Sequence, residues 1–288
     1  MEQESGDNRH QSRFEKRLFF VDGCQDRVHQ THAIQAQRES EQDDMHGGHY
    51  STRVWGRCAT IALMDTRIYI GLIEFIVLLF SLSIHECAHA WTADRLGDPT
   101  ARYLGRVSLN PIVHADPFGT ILIPLMGIFF TGFLIGWAKP VPVNVGRLRK
   151  PTRDHMIVAA AGPLSNLLIA TVLFAFLMVL KSASADGPQM IYSAYSNHFT
   201  SSSALVPLTA IAYHGVMLNV LLAVFNLIPV APLDGAAVVS GFLPRSLAPA
   251  FNQIQSYGFM VLLLLLYLGI PAMLYYPVQD FLLSYLIA

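Results

Sequence analysis

Residues 68–93 read IYIGLIEFIVLLFSLSIHECAHAWTA, and residues 85–89 within this run are His-Glu-Cys-Ala-His. As a helix, a run of 26 residues extends roughly 39 Å, which is enough to cross a hydrocarbon core about 30 Å thick. An ionisable side chain inside such a helix costs about 2.5–3.5 kcal/mol on insertion scales. The pattern therefore predicts a membrane helix whose polar residues have a function.

The two histidines have the spacing of metal ligands. His85 and His89 are four residues apart, so they share one face of a helix and both imidazoles can bind the same ion. Glu86 sits beside that face and can reach a water molecule next to the metal. The alternative is a cluster of polar anchors at a helix end. We expect His85 and His89 to be metal ligands and Glu86 to activate water.

A catalytic metal site of this type needs three protein ligands and one open position. The strongest candidate for the third ligand is Asp234, which follows Pro229 and Pro232 and precedes Gly235. The prolines end the preceding helix, and the glycine permits a close approach of the backbone. The alternative is that Leu-Asp-Gly is an ordinary turn. We expect the Asp234 carboxylate to project from this broken helix toward the histidines.

The composition indicates a membrane protein with several spans. The chain of 288 residues is 53% hydrophobic and 14% charged, whereas soluble domains carry about a quarter charged residues. A net charge of -1 gives no basic surface for nucleic acid, and three scattered cysteines form no disulfide framework. Three further apolar segments are long enough to span: residues 154–180, 204–228 and 256–276. We therefore predict an all-α polytopic protein with four to five membrane helices.

Residues 117–137 are apolar but are interrupted by glycines and a proline. The flanking segments 94–116 and 138–153 carry Arg and Lys, while 182–203 carries neither. Because basic loops tend to remain cytoplasmic, both flanks are expected on one side, which favours a re-entrant element over a span. The basic residues before residue 68 argue against this topology.

The chain divides into a polar and an apolar part. Residues 1–67 hold 20 of the 39 charged residues, and the first 50 or so lack apolar periodicity. We predict that residues 1–63 form a polar, disordered extension and that residues 64–288 form the membrane domain.

Several motifs together resemble the site-2 protease (M50) family of intramembrane zinc metalloproteases, in the compact prokaryotic branch without a PDZ domain. The resemblance covers residues 66–276, and its motifs occur in the family's order. The motifs are His85-Glu86-Cys87-Ala88-His89, Gly105-Arg106-Val107-Ser108-Leu109-Asn110-Pro111, Gly136-Trp137-Ala138-Lys139-Pro140-Val141-Pro142, Ala161-Gly162-Pro163-Leu164-Ser165-Asn166 and Asn226-x-x-Pro229-x-x-Pro232-Leu233-Asp234-Gly235.

This resemblance implies one Zn²⁺ bound by His85, His89 and Asp234, with Glu86 as the catalytic residue. It also implies that Asn226 helps to hold the substrate or the oxyanion, although an amide bonded to a neighbouring helix is an equal alternative. The implied fold is a three-helix catalytic core with a membrane-entering β-element between residues 117 and 145.

The resemblance further implies the location and the substrates. The protein is expected to be a multi-pass protein of the cell (inner) membrane with its active site nearer the cytosolic face. Its expected substrates are transmembrane-helix proteins cut within or near the bilayer in regulated intramembrane proteolysis. The substrate's identity, the trigger and the oligomeric state do not follow from the sequence.

Three alternatives remain open at this stage. The first is a metal carrier or sensor, which would have no use for a water-activating Glu86. The second is a CAAX prenyl protease, but that family takes a glutamate as third ligand and this chain has no Glu after residue 86. The third is an inactive scaffold, which only an assay excludes. Outside the motifs, a structural hydrogen bond is the preferred role for His114 and an interhelical contact for His214. Glu74 is expected at the membrane interface.

Overall fold

The computed structural model describes residues 52–131, 136–197, 203–244 and 246–287. The chain divides into compact units of residues 1–61 and 62–288, and the second contains all the features discussed below. The helices of eight residues or more in the described part of the chain are α1 (Thr52–Arg95), α2 (Pro151–Ala183), α3 (Gly187–Ser196), α4 (Val206–Asn226), α5 (Asp234–Phe242), α6 (Ala248–Gln255), α7 (Gly258–Tyr267) and α8 (Ile270–Ile287). The described residues contain no β-strand, which confirms the all-α class.

The extension predicted for residues 1–63 remains a prediction. Residues 1–51 lie outside the described part of the chain, and α1 begins at Thr52.

Three helices are long and apolar enough to cross a membrane: residues Arg67–Arg95 of α1, all of α2 and all of α4. They share one apolar core with α3 and α8, in which Val77, Leu177, Val216 and Leu286 are buried. In lipid such helices associate through close van der Waals packing rather than through exclusion of water. The polytopic membrane architecture with a three-helix core agrees with the sequence pattern.

The fourth predicted span is broken in the structure. Helices α6 and α7 meet at an angle of 67°, so the described residues hold three spans, or four if this bent pair counts as one. Helix α7 then ends before Gly269, whose φ of +70° is a left-handed conformation that favours glycine. The continuous span predicted for residues 256–276 is therefore wrong, while a count of four membrane helices, with the bent pair as one span, agrees with the prediction of four to five.

The segment that follows residue 116 is helical rather than β-structured. It consists of short turns with π and α geometry, at Pro117–Leu122, Ile123–Met126 and Gly127–Thr131. The apolar helical run Pro117–Phe130 is at most roughly 21 Å long, which is short of the hydrocarbon core and compatible with a re-entrant element. The β-element expected here is therefore wrong for the described residues.

The glycines of this region serve close packing instead of interrupting the helix. A Cβ added to Gly119 would lie 2.2 Å from the Trp137 ring, and one added to Gly136 would lie 2.7 Å from the Gly119 carbonyl oxygen. The helical turns and the extended segment at residues 136–144 are thus in direct contact. Backbone hydrogen bonds hold the extended segment, from Trp137 N to Gly119 O (3.1 Å) and from Lys139 N to His114 O (2.8 Å).

A candidate metal centre between three helices

The two motif histidines of α1 face each other inside the protein. Their Nε2 atoms are 3.0 Å apart and their rings meet edge to face, with centroids 4.6 Å apart. Both are buried, with 4% of His85 and 8% of His89 exposed. The helical spacing of four residues produces this geometry, because side chains at i and i+4 lie on the same face.

Asp234 reaches the same point from a distant part of the chain. It is the first residue of α5, at the end of a loop that leaves α4. Its Oδ2 lies 3.1 Å from His85 Nε2 and 3.4 Å from His89 Nε2. These three ligand atoms form the one such group found among the described residues. The structure thus brings together the three residues that the sequence singled out.

The spacing of the three atoms fits a small tetrahedral metal ion. Metal–ligand bonds of about 2.0–2.1 Å place tetrahedral ligand atoms roughly 3.3–3.4 Å apart. The separations of 3.0, 3.1 and 3.4 Å approximate this value. The fourth tetrahedral position is left to water or substrate, as in catalytic zinc sites.

The protonation pattern also fits a cation. Val158 O lies 2.7 Å from His89 Nδ1, and a carbonyl only accepts, so Nδ1 carries the proton and a neutral ring presents its Nε2 lone pair to the centre. A carboxylate and lone pairs converge here, which is the donor set of a metal site.

Helix α2 closes the centre from behind, and the glycine of its Ala-Gly-Pro motif is required for this contact. A Cβ added to Gly162 would lie 2.4 Å from His89 Nε2 and 2.6 Å from His85 Cε1. The helix backbone therefore lies directly against both imidazoles, leaving no room for a side chain. Gly235 permits a similar approach on the other side, since its added Cβ would lie 2.3 Å from Leu227 O.

Glu86 lies beside the three ligand atoms and is not one of them. Its Oε2 accepts a hydrogen bond of 2.9 Å from the backbone N–H of Val141. Pro140 and Pro142 on either side have no N–H, so Val141 is the one backbone donor of this triplet. The extended segment at residues 136–144 thus orients the Glu86 carboxylate.

The centre opens into a cavity of about 580 Å³ that Glu86 and Asn226 also line. Asn226 Nδ2 donates to the Leu222 carbonyl of its own helix at 2.9 Å. The predicted substrate residue therefore faces the cavity while its donor is engaged. A role in binding substrate stays a prediction.

Sequence reasoning missed several residues that line this cavity, among them His155 and Gln255. His155 precedes Gly162 by seven residues, so helical periodicity could have placed both on one face of α2. Gln255 belongs to no motif, and nothing in the sequence pointed to it.

The polar residues outside the motifs take the structural roles preferred for them. His114 Nε2 lies 2.8 Å from Ser108 O, and His214 Nδ1 lies 3.0 Å from Glu74 Oε1. Glu74 of α1 thus pairs with α4, a contact that the sequence analysis did not predict.

Comparison with known proteins agrees with this geometry. Residues 73–268 match the model of Peptidase family M50. A Bacillus subtilis protein named "Putative zinc metalloprotease YwhC" is 37% identical over 221 residues, which are 75% of this chain and 92% of that protein. "Putative zinc metalloprotease Rip2" of Mycolicibacterium smegmatis is 29% identical over 204 residues, 69% of this chain and 68% of that protein.

The protein of the same name in Mycobacterium tuberculosis is 28% identical over 211 residues, 69% of this chain and 71% of that protein. No solved structure matches the chain. The family match covers most of the spanning part of α1, all of α2 and α4, and the converging histidines and aspartate. The chain therefore belongs to peptidase family M50, the site-2 protease family, and is a zinc metalloprotease with membrane helices.

Proposed function

We propose that this zinc metalloprotease hydrolyses peptide bonds within or near the transmembrane segments of other membrane proteins. The observation that carries the proposal is the convergence of His85, His89 and Asp234 between helices that are long and apolar enough to span a bilayer. Two of the three residues belong to the spanning part of α1 itself. A substrate that reaches them has to enter the bilayer.

His85 Nε2, His89 Nε2 and Asp234 Oδ2 are the proposed zinc ligands. Their separations, their burial and the Val158 hydrogen bond that orients His89 support this assignment. When bound, Zn²⁺ would act as a Lewis acid, which lowers the pKa of water toward neutral pH and polarises the carbonyl group of the substrate. The carboxylate of Asp234 offsets part of the ion's charge.

Glu86 is the proposed general base and acid. Its carboxylate takes the proton of the attacking water and later returns it to the leaving amine nitrogen. The Val141 N–H holds one oxygen of Glu86, which leaves the other oxygen available for this proton. A separate base that is not a ligand supports hydrolysis over simple storage of the metal.

Asn226 is proposed to bind the substrate carbonyl or the oxyanion. It lines the same cavity as Glu86, and it lies eight residues before Asp234 at the end of α4. Its Nδ2 donates to the Leu222 carbonyl, so its side chain has to rotate before it can donate to a substrate.

The proposed substrates are membrane helices that unwind locally at the cut. A helical peptide bond is shielded by its own hydrogen bonds, so an unwound stretch has to be held in extended form. The segment at residues 136–144 lies against Glu86, and its backbone carbonyls can accept hydrogen bonds from such a stretch, because most of its own N–H groups are already bonded within the protein. Cleavage of this kind suits the regulated release of membrane-tethered proteins.

We further propose that the protein resides in the cell (inner) membrane with the metal centre nearer the cytosol. The support is the basic character of segments 94–116 and 138–153, against a 182–203 segment without Lys or Arg. Labelling single cysteines at Arg149 and Ser184 with an impermeant maleimide tests this. In intact cells we expect the cysteine at position 149 to be protected and the one at position 184 to be labelled. Labelling of position 149 alone would show that the topology is the opposite of the one proposed.

The decisive experiment compares Glu86→Gln with Glu74→Gln, the same change on the same helix. Each purified variant is incubated with single-span membrane proteins, and products and zinc content are measured by mass spectrometry. Glu86→Gln is expected to lower cleavage by about 10²–10⁴-fold and to retain close to one zinc per chain. Glu74→Gln is expected to keep both the cleavage rate and the zinc content of the wild type. Cleavage by Glu86→Gln at the wild-type rate would refute the assignment.

A further inference from the structure

The side-chain amide of Gln255, at the end of α6, bridges two backbone groups of the loop that carries Asp234. Gln255 Oε1 accepts a hydrogen bond of 2.6 Å from Ala231 N, and Gln255 Nε2 donates one of 3.2 Å to Pro229 O. The loop at residues 229–233 leads directly into Asp234. The amide therefore contacts the chain three and five residues before that carboxylate.

The loop cannot satisfy these groups by itself. Pro229 and Pro232 have no N–H, and the N–H groups of Val230 and Leu233 bond to carbonyls within residues 228–230. The Ala231 N–H is thus the one backbone donor in residues 229–233 whose recorded bond leaves residues 228–233. Gln255 is its partner.

The polarity of the backbone fixes the orientation of the amide. Ala231 offers a donor and Pro229 an acceptor, so the oxygen of Gln255 has to face the first and the nitrogen the second. A carboxylate could accept from Ala231 but could not donate to Pro229. Glutamine is therefore matched to this loop in a way that glutamate and methionine are not.

A second contact lies one helical turn further along. A Cβ added to Gly258 would lie 2.5 Å from Ala231 O, so the start of α7 packs directly on the same loop residue. The bend between α6 and α7 brings Gln255 and Gly258 to Ala231 together. Gln255 also lines the cavity beside the metal centre.

We propose that Gln255 is a positioning residue that fixes the Pro229–Leu233 loop and so holds Asp234 at the distance needed to bind zinc. The proposal rests on the proposed role of Asp234 as a ligand. Gln255 is not one of the three ligand residues. Groups that orient a ligand typically change metal affinity 10–100-fold when they are removed.

The test compares Gln255→Met with Gln253→Met, the same substitution at an exposed position of the same helix. The measurement is the rate of zinc loss from the full-length, zinc-loaded protein to excess EDTA, with thermal unfolding of the metal-free protein alongside. Gln255→Met is expected to lose zinc about 10–100-fold faster, with unfolding of the metal-free form unchanged. Gln253→Met is expected to match the wild type.

Gln255→Glu serves as a second variant in case Gln255→Met folds poorly. It keeps the bond from Ala231 and loses the one to Pro229, so its rate of zinc loss is expected between those of the wild type and Gln255→Met. Wild-type zinc release in both variants would overturn the proposal, as would equal destabilisation of the metal-free and zinc-loaded forms without faster release. Full zinc retention by Asp234→Ala would instead refute the assignment of Asp234 as a ligand, independently of the results for the Gln255 variants.

Discussion

Helix α1 carries two groups of ionisable residues, and their surroundings differ. At one end, His85, His89 and Asp234 direct three ligand atoms to one point beside a cavity of about 580 Å³. Near the start of the spanning part of α1, Glu74 Oε1 lies 3.0 Å from His214 Nδ1, and neither residue lines that cavity. The groups are eleven residues apart, roughly 16 Å along the helix.

The comparison shows what distinguishes a metal centre from a membrane ion pair. An acid and an imidazole can bond to each other directly, as Glu74 Oε1 and His214 Nδ1 do, and this contact involves no metal ion. Two imidazole lone pairs and a carboxylate repel one another unless a cation lies between them. In a membrane helix an ionisable residue alone is therefore a weak indication of catalysis, whereas convergence of three ligand atoms is a strong one.

The largest difference is expected between two glycine substitutions, one at each group. Gly162→Ala places a methyl group 2.4 Å from His89 Nε2 and 2.6 Å from His85 Cε1, so that either the rings or the helix has to move. Cleavage should fall by about 10²-fold or more, because small displacements of catalytic groups have effects of that size, and zinc content should fall with it.

Gly215→Ala, beside His214, is the matched control. The added methyl group would meet the end of the flexible Leu173 side chain, at 2.5 Å from its Cδ1. Zinc content and cleavage should remain near wild type, at a stability cost of about 1–3 kcal/mol or less. Equal zinc loss in both variants would remove the distinction between the two groups.

The next prediction separates the base from the ligands within the metal centre. Val141→Pro removes the N–H that holds Glu86 and leaves the three ligand atoms untouched. The turnover number should fall about tenfold, which corresponds to about 1.4 kcal/mol, while zinc content stays near one per chain. Val141→Ala keeps the N–H and should retain most activity, so equal losses in both would argue for a packing effect.

A smaller effect, confined to stability, is expected at the Glu74–His214 pair. His214→Ala leaves Glu74 without its partner, and the loss of a hydrogen bond to a charged group lowers the free energy of unfolding by about 1–3 kcal/mol. Unfolding in detergent with the double mutant Glu74→Gln/His214→Ala measures the coupling. Additive effects of the two changes would show that the pair does not interact.

The smallest effect is expected at Asp98, in the turn after α1. Burial raises its pKa, but hydrogen bonds from Thr100 and the Asn144 backbone N–H outweigh this and lower the pKa below its usual value. A lowered pKa stabilises the fold above the pKa of the unfolded chain, and this contribution is lost as the pH falls through the folded pKa. Asp98→Asn should weaken the acid sensitivity of the metal-free protein, measured as unfolding temperature between neutral pH and pH ~3. An unchanged pH profile would contradict the assignment.

Much of the candidate site was predictable from the sequence, because it depends on helical spacing and on special residues. The interval between His85 and His89 defines a helix face, and the Pro and Gly residues around Asp234 mark a broken helix. The need for a glycine at position 162 is visible only in the structure, where the backbone of α2 meets the imidazoles.

The remaining features depend on tertiary contacts that leave no pattern. The Val141 N–H that orients Glu86 is a backbone group, and backbone groups have no sequence signature. The same holds for the loop groups that Gln255 bridges. Gly119 and Gly136 were expected to interrupt a helix, yet they permit close contact between two segments.

Zinc content measured side by side in purified Asp234→Ala and His214→Ala tests the central claim most directly. Both changes remove one ionisable side chain from a histidine–carboxylate group, but only the first removes a proposed ligand. Zinc near zero per chain in Asp234→Ala and near one in His214→Ala is the predicted result. One zinc per chain in Asp234→Ala would contradict the account.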